Sequence, residues 1–354
     1  MTTALKAAVI GTGAISKEHL SFLSKCDLAH LVGVCDISLA AAQYAARQFQ
    51  ANTAYTDYRQ MLEVAKPDVV HILTPPNSHK AIATDCLQAG AHVICEKPIT
   101  LTYDEFKDLW SIAQSCDRHL IEDQNYRFNE PILAIVQLIK DGILGEVQEV
   151  EVRMALDIRS GGRYSDENLP SPMHQYPAGV IHDFLTHLCY LTLLFIPDCG
   201  RVSAAWSNHG GGDLFKYDDL DALIIGGSTH GRIRFSTYTQ PDCFTITVRG
   251  SKGYAETDLF QPYLRCVRPR SAGKQLSPLI NHFMSGYELM GASFRNFRRK
   301  IMQQSSYEGL YRLLDLTYEA LINGTQPPIS FTDMERTSRL IEALLAEENR
   351  LGDC

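Results

Sequence analysis

No run of about 18 apolar residues occurs in the chain, which excludes a helix that crosses a membrane. No two of the ten cysteines are spaced as C-x-x-C, so the patterned spacing of a zinc site or a disulfide framework is missing. Several of them, Cys35 and Cys95 among them, sit inside apolar runs, and reduced cysteines packed as small hydrophobes are expected. Positive charge is short as well. Lys and Arg number 33 against 41 Asp and Glu, a net charge of −8, and nothing favours wrapping a nucleic acid. There is no internal repeat and no low-complexity segment. Met1-Thr2-Thr3-Ala4-Leu5-Lys6 lacks a signal-peptide layout, so the cytoplasm is the expected compartment.

What the 354 residues do contain is too much for one ordinary core and suits two domains. In the first third, short apolar runs (Ala7–Ile10, Leu31–Cys35, Val69–Leu73, His92–Cys95 and Leu120–Glu122) alternate with helical patterns at Glu18–Ser24, Leu39–Phe49, Tyr58–Val64, His79–Gln88 and Tyr103–Ser115. Strands that are apolar throughout have both faces buried, as in a parallel sheet under helices. The alternation therefore predicts a doubly wound α/β domain over 1–124, with right-handed crossovers. Local punctuation agrees. Gly90 stands where a left-handed helix end is wanted, and Thr102 with Glu105 has the layout of a capping box.

The pattern changes near residue 125. A helix is predicted at Glu130–Lys140 and a strand at Val147–Leu156, followed by a Gly-, Pro-, Ser- and Arg-rich loop over 157–178 and an apolar helix at Val180–Phe195. Five further strands follow, at Val202–Ser207, Leu220–Ile225, Arg232–Thr239, Phe244–Arg249 and Tyr254–Thr257. Helices return at Pro278–Met302, Tyr307–Leu321 and Asp333–Glu348. Residues 125–354 thus read as an α+β domain with a large, mainly antiparallel sheet, for substrate binding and oligomerisation. The C-terminal helix is expected to pack back on the first domain.

Gly11-Thr12-Gly13-Ala14-Ile15-Ser16 ends the first strand and opens a helix. Gly11 permits a tight turn, and Gly13 lets a pyrophosphate approach the main chain at the helix N-terminus. Ser16 takes the third fingerprint position. Asp36 lies 20 residues after Ser16 and closes the second strand, where a carboxylate accepts hydrogen bonds from an adenosine ribose and repels a 2′-phosphate. Ile37 follows in place of an arginine, which favours NAD over NADP. A Rossmann domain with a dinucleotide is the expectation. A plain turn with Asp36 capping a helix is the bland alternative.

Four further segments make the chain resemble the glucose–fructose oxidoreductase / inositol dehydrogenase family, Gfo/Idh/MocA. They are Leu73-Thr74-Pro75-Pro76-Asn77-Ser78-His79, Cys95-Glu96-Lys97-Pro98, Asn125-Tyr126-Arg127-Phe128, and Gly179 to His187. The resemblance covers essentially the whole chain. It implies that Thr74, Pro75, Asn77 and His79 line the nicotinamide half of the cofactor, with Glu96 and Lys97 beside it. It also implies that Lys97, Asp183 and His187 carry the acid–base work. Lysine can steady a developing alkoxide, and histidine titrates near neutrality. Asp183 and His187 are four apart on a predicted helix and share a face, whereas Phe184, Leu188, Leu191 and Phe195 form a separate, core-forming stripe.

Two positions depart from many family members: His182 stands where an apolar residue is usual, and Tyr190 where an acid is usual. His174, His182, Asp183 and His187 suggest a metal at first sight. The helical histidines are five apart and do not share a face, so no metal is expected. In relatives the stretch equivalent to 157–178 reaches over the substrate. Arg127, Arg163, Tyr164, His174 and His182 are therefore candidate contacts to a sugar, cyclitol or nucleotide-sugar.

Hydride transfer between NAD(P) and a carbinol or carbonyl of such a substrate is the leading expectation. A redox-neutral, NAD-dependent glycosidase and a non-catalytic NAD-sensing regulator are the alternatives. A homodimer or homotetramer is implied by the resemblance. The basic, aromatic stretch Phe294–Lys300 reads as a solvated helix face, with a nucleotide diphosphate or an anionic membrane surface as its other possible partners.

Overall fold

The computed structural model describes residues 4–162, 164–166, 171–197, 199–270, 272–302 and 307–347. The chain divides into two compact units. The first holds residues 1–125 with Gly309–Ser338, and the second holds Tyr126–Glu308 with the residues from Arg339 on.

In the first unit six strands form one parallel sheet: β1 (Leu5–Ile10), β2 (Ala29–Cys35), β3 (Ala54–Tyr55), β4 (Val69–Ile72), β5 (His92–Cys95) and β6 (Leu120–Glu122). Their spatial order is β3-β2-β1-β4-β5-β6, so the winding reverses between β1 and β4. The strand interiors are buried on both faces, with Ala7, Ala8, Val9, Val69, Val70 and Ile72 wholly enclosed. This is why they read as unbroken apolar runs.

The crossovers are α1 (Ser16–Leu23), α2 (Leu39–Gln48), α3 (Tyr58–Ala65), α4 (His79–Gln88) and α5 (Tyr103–Ser115). The cap forms as expected, with Glu105 N donating to Thr102 Oγ1, but the Glu105 carboxylate accepts from Leu101 N, one residue before the N-cap, rather than closing the box on Thr102 N. Gly90 has φ +89° past the end of α4. Sequence reasoning misses β3, which has only two residues.

The segment Gly309–Ser338 completes this unit. It brings most of α9 (Glu308–Asn323) and the first half of α10 (Phe331–Glu347). Tyr311 of α9 donates to the Glu18 carboxylate of α1, and the Tyr318 hydroxyl lies 2.9 Å from His71 Nε2 on β4.

The second unit is built on a seven-stranded mixed sheet in the order β13-β12-β11-β7-β10-β9-β8. The strands are β7 (Val147–Ala155), β8 (Arg201–Ser207), β9 (Asp219–Gly226), β10 (Thr229–Ser236), β11 (Cys243–Gly250), β12 (Gly253–Asp258) and β13 (Arg265–Val267). Only β7 and β10 pair in parallel. The short edge strand β13 was not expected.

One face of the sheet is covered by α6 (Glu130–Lys140) and α7 (Ile181–Leu193). Leu185, Leu188 and Leu191 of α7 are fully enclosed among Val150, Val152, Ile233, Phe235 and Ile246. Each such side chain contributes roughly 1.5–3 kcal/mol through burial. The long helix α8 (Gly273–Ile301) starts five residues before Pro278, where sequence reasoning begins it. Among the described residues no helix is long and apolar enough to cross a membrane. The nine described cysteines are all free.

Candidate active site

The carboxyl ends of β1 and β4, at the reversal point of the sheet, lie side by side. Gly11 follows β1 with φ +95°, and a Cβ there would sit 2.8 Å from the carbonyl oxygen of Leu73. Glycine is therefore demanded twice at this position, by conformation and by contact. Gly13 differs. Its φ is not left-handed, it is exposed, and no protein atom lies within 4 Å of the place a Cβ would occupy. Neither packing nor conformation requires a glycine here, and the open side is where a phosphate could reach the main chain.

Ala14 is exposed and Ile15 half-buried beside it. The helix start carries no side-chain cap, and the Ser16 hydroxyl turns back to donate to the carbonyl of Gly13 at 2.7 Å. An uncapped helix N-terminus next to a glycine turn offers N–H groups and a positive dipole end to an anion.

Asp36 follows β2 and folds onto the same turn. Its Oδ2 accepts from Thr12 N at 2.8 Å and Thr12 Oγ1 at 2.7 Å, and its Oδ1 accepts from Ser38 N at 2.9 Å. Partial burial works against the charge, but these donors outweigh it and hold the carboxyl below its ordinary range. Ile37 beside it is almost completely exposed.

The loop after β4 carries Thr74, Pro75 and Asn77. Pro75 and Asn77 are exposed, and Thr74 Oγ1 accepts from the Ser78 hydroxyl at 2.8 Å. His79 is fully buried. Its Nε2 lies 2.7 Å from the Thr74 carbonyl oxygen and its Nδ1 lies 2.9 Å from that of Pro98. Burial pulls its pKa down against both carbonyls. Its ring thus ties the loop after β4 to the loop after β5, with no side-chain atom on the surface.

Lys97 is half-buried in that second loop, before a cis peptide bond to Pro98. Glu96 Oε2 accepts from Lys97 N at 3.2 Å. From below, Glu122 at the end of β6 accepts from Ile99 N at 2.9 Å and from Gln124 Nε2 at 2.8 Å.

Sequence reasoning misses the group that backs this loop. His19 of α1 is fully buried, with Nε2 3.6 Å from Glu96 and 3.5 Å from Asp123, while its Nδ1 lies 2.9 Å from His71 Nδ1. Burial penalises the His19 cation, but the two carboxylates prevail and raise its pKa to about 9. Burial and the nearby Glu96 raise Asp123 to about 7. Among the described residues His19, Glu96 and Asp123 alone come together in the manner of metal ligands. At neutral pH the imidazolium faces the ionised Glu96, with Asp123 near its own titration point, so the group reads as a buried ion cluster. The signal available beforehand was a histidine, His71, inside an otherwise apolar strand.

The second unit carries Asp183 and His187 on α7, both buried and one helical turn apart. Asp183 Oδ2 accepts from the Tyr164 hydroxyl at 2.8 Å. His187 Nδ1 lies 2.8 Å from the Tyr190 hydroxyl, and Tyr126 N donates to that same oxygen at 3.2 Å. The Tyr126 ring meets the His187 ring edge-on, with centroids 4.8 Å apart. Tyr190 stands three residues beyond His187 on one helix face, a spacing that marks it as a partner.

Tyr164 packs with Val180 and Phe215 in a small apolar cluster. His174 Nε2 lies 2.8 Å from the Tyr164 carbonyl oxygen. His182 is buried with its ring edge toward Tyr176. Arg127 is half-buried in a short 3-10 turn, Asn125–Phe128. Arg163, also expected to meet the substrate, lies outside the described residues. The start of the 157–178 loop is pinned by Arg159, which donates to the buried Asp218 at 2.7 Å and lies over the Tyr238 ring.

Comparison with known proteins decides what the first of these halves is. Residues 5–123 match the profile of an oxidoreductase family with an NAD-binding Rossmann fold, Gfo/Idh/MocA. That match lies in the first unit and covers about a third of the chain's 354 residues. It is 28% identical to D-apiose dehydrogenase of Paraburkholderia graminis over 204 residues, 57% of this chain and 52% of that protein. With D-glucoside 3-dehydrogenase of Escherichia coli it shares 31% identity over 150 residues, 42% of this chain and 43% of the relative. These matches span about half the length of either curated relative.

Among solved structures, the WlbA dehydrogenase of Bordetella pertussis in complex with NADH and UDP-GlcNAcA superposes with a TM-score of 0.76 over 98% of this chain and 96% of that one. At 17% identity that likeness speaks for the fold alone. The family match falls on the unit that holds the glycine turn, Asp36 and Lys97.

Proposed function

We propose that the chain is an NAD-dependent dehydrogenase acting on a carbinol or carbonyl carbon of a sugar, cyclitol or nucleotide-sugar. The observation that carries this reading is the Gly11–Gly13 turn: one glycine is required by the fold, and the other is open to a ligand. The printed activities of the two curated relatives and the UDP-GlcNAcA of the solved complex support the carbohydrate class.

NAD, when bound, supplies the acceptor or donor of the hydride. Gly11, Thr12, Gly13, Ala14, Ile15 and Ser16 would hold its pyrophosphate on the start of α1. Asp36, kept ionised by Thr12 and Ser38, would accept from the adenosine ribose and repel the 2′-phosphate of NADP. Ile37 offers the adenine an apolar face. Thr74, Pro75, Asn77 and the main chain around Glu96 and Lys97 would hold the nicotinamide half, with His79 stiffening both loops from beneath.

The Tyr190 oxygen has two lone pairs. If it accepts from Tyr126 N–H and from His187 Nδ1–H, His187 Nε2 keeps a lone pair and can take a hydroxyl proton as the carbinol is oxidised. The Lys97 ammonium steadies the developing alkoxide. Asp183, fixed by Tyr164, orients a neighbouring hydroxyl. Arg127, Arg163, His174 and His182 are assigned to substrate selection.

A small homo-oligomer in the cytoplasm, formed through the open face of the second sheet where Leu223 and Ile225 are exposed, belongs to the same reading. The experiment is a titration of NAD and NADP into the purified chain, followed by a screen of sugars, cyclitols and nucleotide-sugars at the NADH absorbance band. NAD bound more tightly than NADP, with NADH formed from members of one substrate class, is expected. Failure to bind either dinucleotide overturns the reading at its first step.

A further inference from the structure

Helix α8 is built inside out. Ser277, Asn281, Ser285, Glu288 and Asn296 recur at helical spacing on one face, and this polar face is the one that meets the body of its unit. The Ser277 hydroxyl and Arg270 N are 3.0 Å apart, and Asn281 bonds both the Arg270 side chain and the Arg268 carbonyl at 2.8 Å. Ser285 accepts from Arg265 Nε at 3.1 Å, and Asn296 donates to the Pro262 carbonyl at 3.1 Å.

The opposite face carries Leu279, Phe283, Tyr287, Met290, Phe294 and Phe297 in steps of three and four. Phe283 and Phe294 are 74% and 75% exposed, whereas ordinary amphipathic packing would bury such residues first. From Leu279 to Phe297 the stripe runs along roughly 27 Å of the 29-residue helix.

Charge selects what covers it. The helix carries five cations, Lys274, Arg295, Arg298, Arg299 and Lys300, and one acid, Glu288, in a chain whose net charge is −8. That acid lies on the docked face, accepting from Leu264 N at 3.4 Å and pairing with Arg295 at 2.7 Å. Arg299 is held by Glu130 at 3.4 Å and Glu308 at 3.0 Å, which leaves Arg298 and Lys300 as exposed cations at the end of the stripe. An anionic lipid surface supplies both an apolar layer and negative charge.

We propose that α8 lies in the plane of an anionic membrane surface and seats the chain on it through its Phe283–Phe297 face. The interaction is peripheral: the aromatic and aliphatic stripe enters the headgroup boundary, and Arg298 and Lys300 at its end meet the anionic lipids.

The test is sedimentation of the full chain with vesicles of phosphatidylcholine alone and with added phosphatidylglycerol, with molar mass from light scattering alongside. Capture by the anionic vesicles that weakens in 1 M salt is expected. A triple Phe283→Ser, Phe294→Ser, Phe297→Ser variant should lose capture. An Arg298→Gln, Lys300→Gln variant should lose about 30-fold in partitioning, at about 1 kcal/mol per cation. Melting temperature and NAD binding of the variants serve as the check on folding, and the charge variant stands alone if the triple variant misfolds. No capture of the wild-type chain overturns the proposal, as does a triple variant whose mass halves while the wild type ignores vesicles, which assigns the stripe to a second copy. Equal capture of wild type and both variants also overturns it.

Discussion

The hydroxyl of Tyr190 lies 2.8 Å from Nδ1 of His187, and it receives the main-chain N–H of Tyr126 at 3.2 Å. A buried imidazole is thus held in orientation by a phenol that is itself held by the backbone. Replacing the phenol by phenyl keeps the packing and removes the oxygen. For Tyr190→Phe the expected outcome is a fall in kcat of roughly 10-fold or more, with KM nearly unchanged and a displaced pH profile. Steady-state rates across pH check this, and an unchanged profile would assign Tyr190 to packing alone.

Tyr164→Phe removes the 2.8 Å donor from the buried carboxylate of Asp183. A hydrogen bond to a charged group contributes about 1.5–3 kcal/mol, so a measurable loss of stability is expected. Denaturant unfolding of the two proteins gives the difference.

The two glycines of the turn should separate fold from ligand. Gly11→Ala places a Cβ 2.8 Å from the Leu73 carbonyl at a left-handed φ, and a lowered melting temperature is expected. The Cβ of Gly13→Ala meets no protein atom within 4 Å, so the melting temperature should hold while NAD affinity falls at least 10-fold by calorimetry.

Stability should decline with rising pH through the His19 cluster. The folded pKa of His19 is about 9 against an ordinary 6.5, so its contribution is complete below pH 6.5 and is lost as pH climbs through 9. Asp123, raised to about 7 from an ordinary 3.8, has the same sign, its share being lost between about pH 4 and 7. Melting temperatures from pH 4 to 9.5 should fall along that course, and His19→Gln should flatten the upper limb.

The legible part of the molecule is the part governed by local rules. Buried parallel strands show as apolar runs, and Gly11 and Thr102 mark their turn and their cap, so β1, β2, β4, β5 and β6 could be read off together with the glycine turn. The two-residue β3 and the three-residue β13 escape because neither is long enough to display a period. In the candidate site, residue types were readable and partnerships were not. His19, Glu96 and Asp123 come from one helix and two strand ends, and only the fold makes them neighbours. Tyr164 and His79 were expected as ligand contacts, whereas their polar atoms are engaged with Asp183 and with two main-chain carbonyls. Tyr190 was within reach, at three residues from His187. For α8 the basic, aromatic stretch Phe294–Lys300 was visible, but which face meets the protein was not.

The most direct test of the central claim is NADH formation by the wild-type chain and by Lys97→Ala and His187→Ala, with NAD affinity measured on all three. The account predicts substrate-dependent NADH from the wild type, turnover lowered about 100-fold or more in each variant, and NAD affinity largely kept. Normal turnover in either variant, or NAD bound by the wild type with no NADH from any substrate, would contradict it.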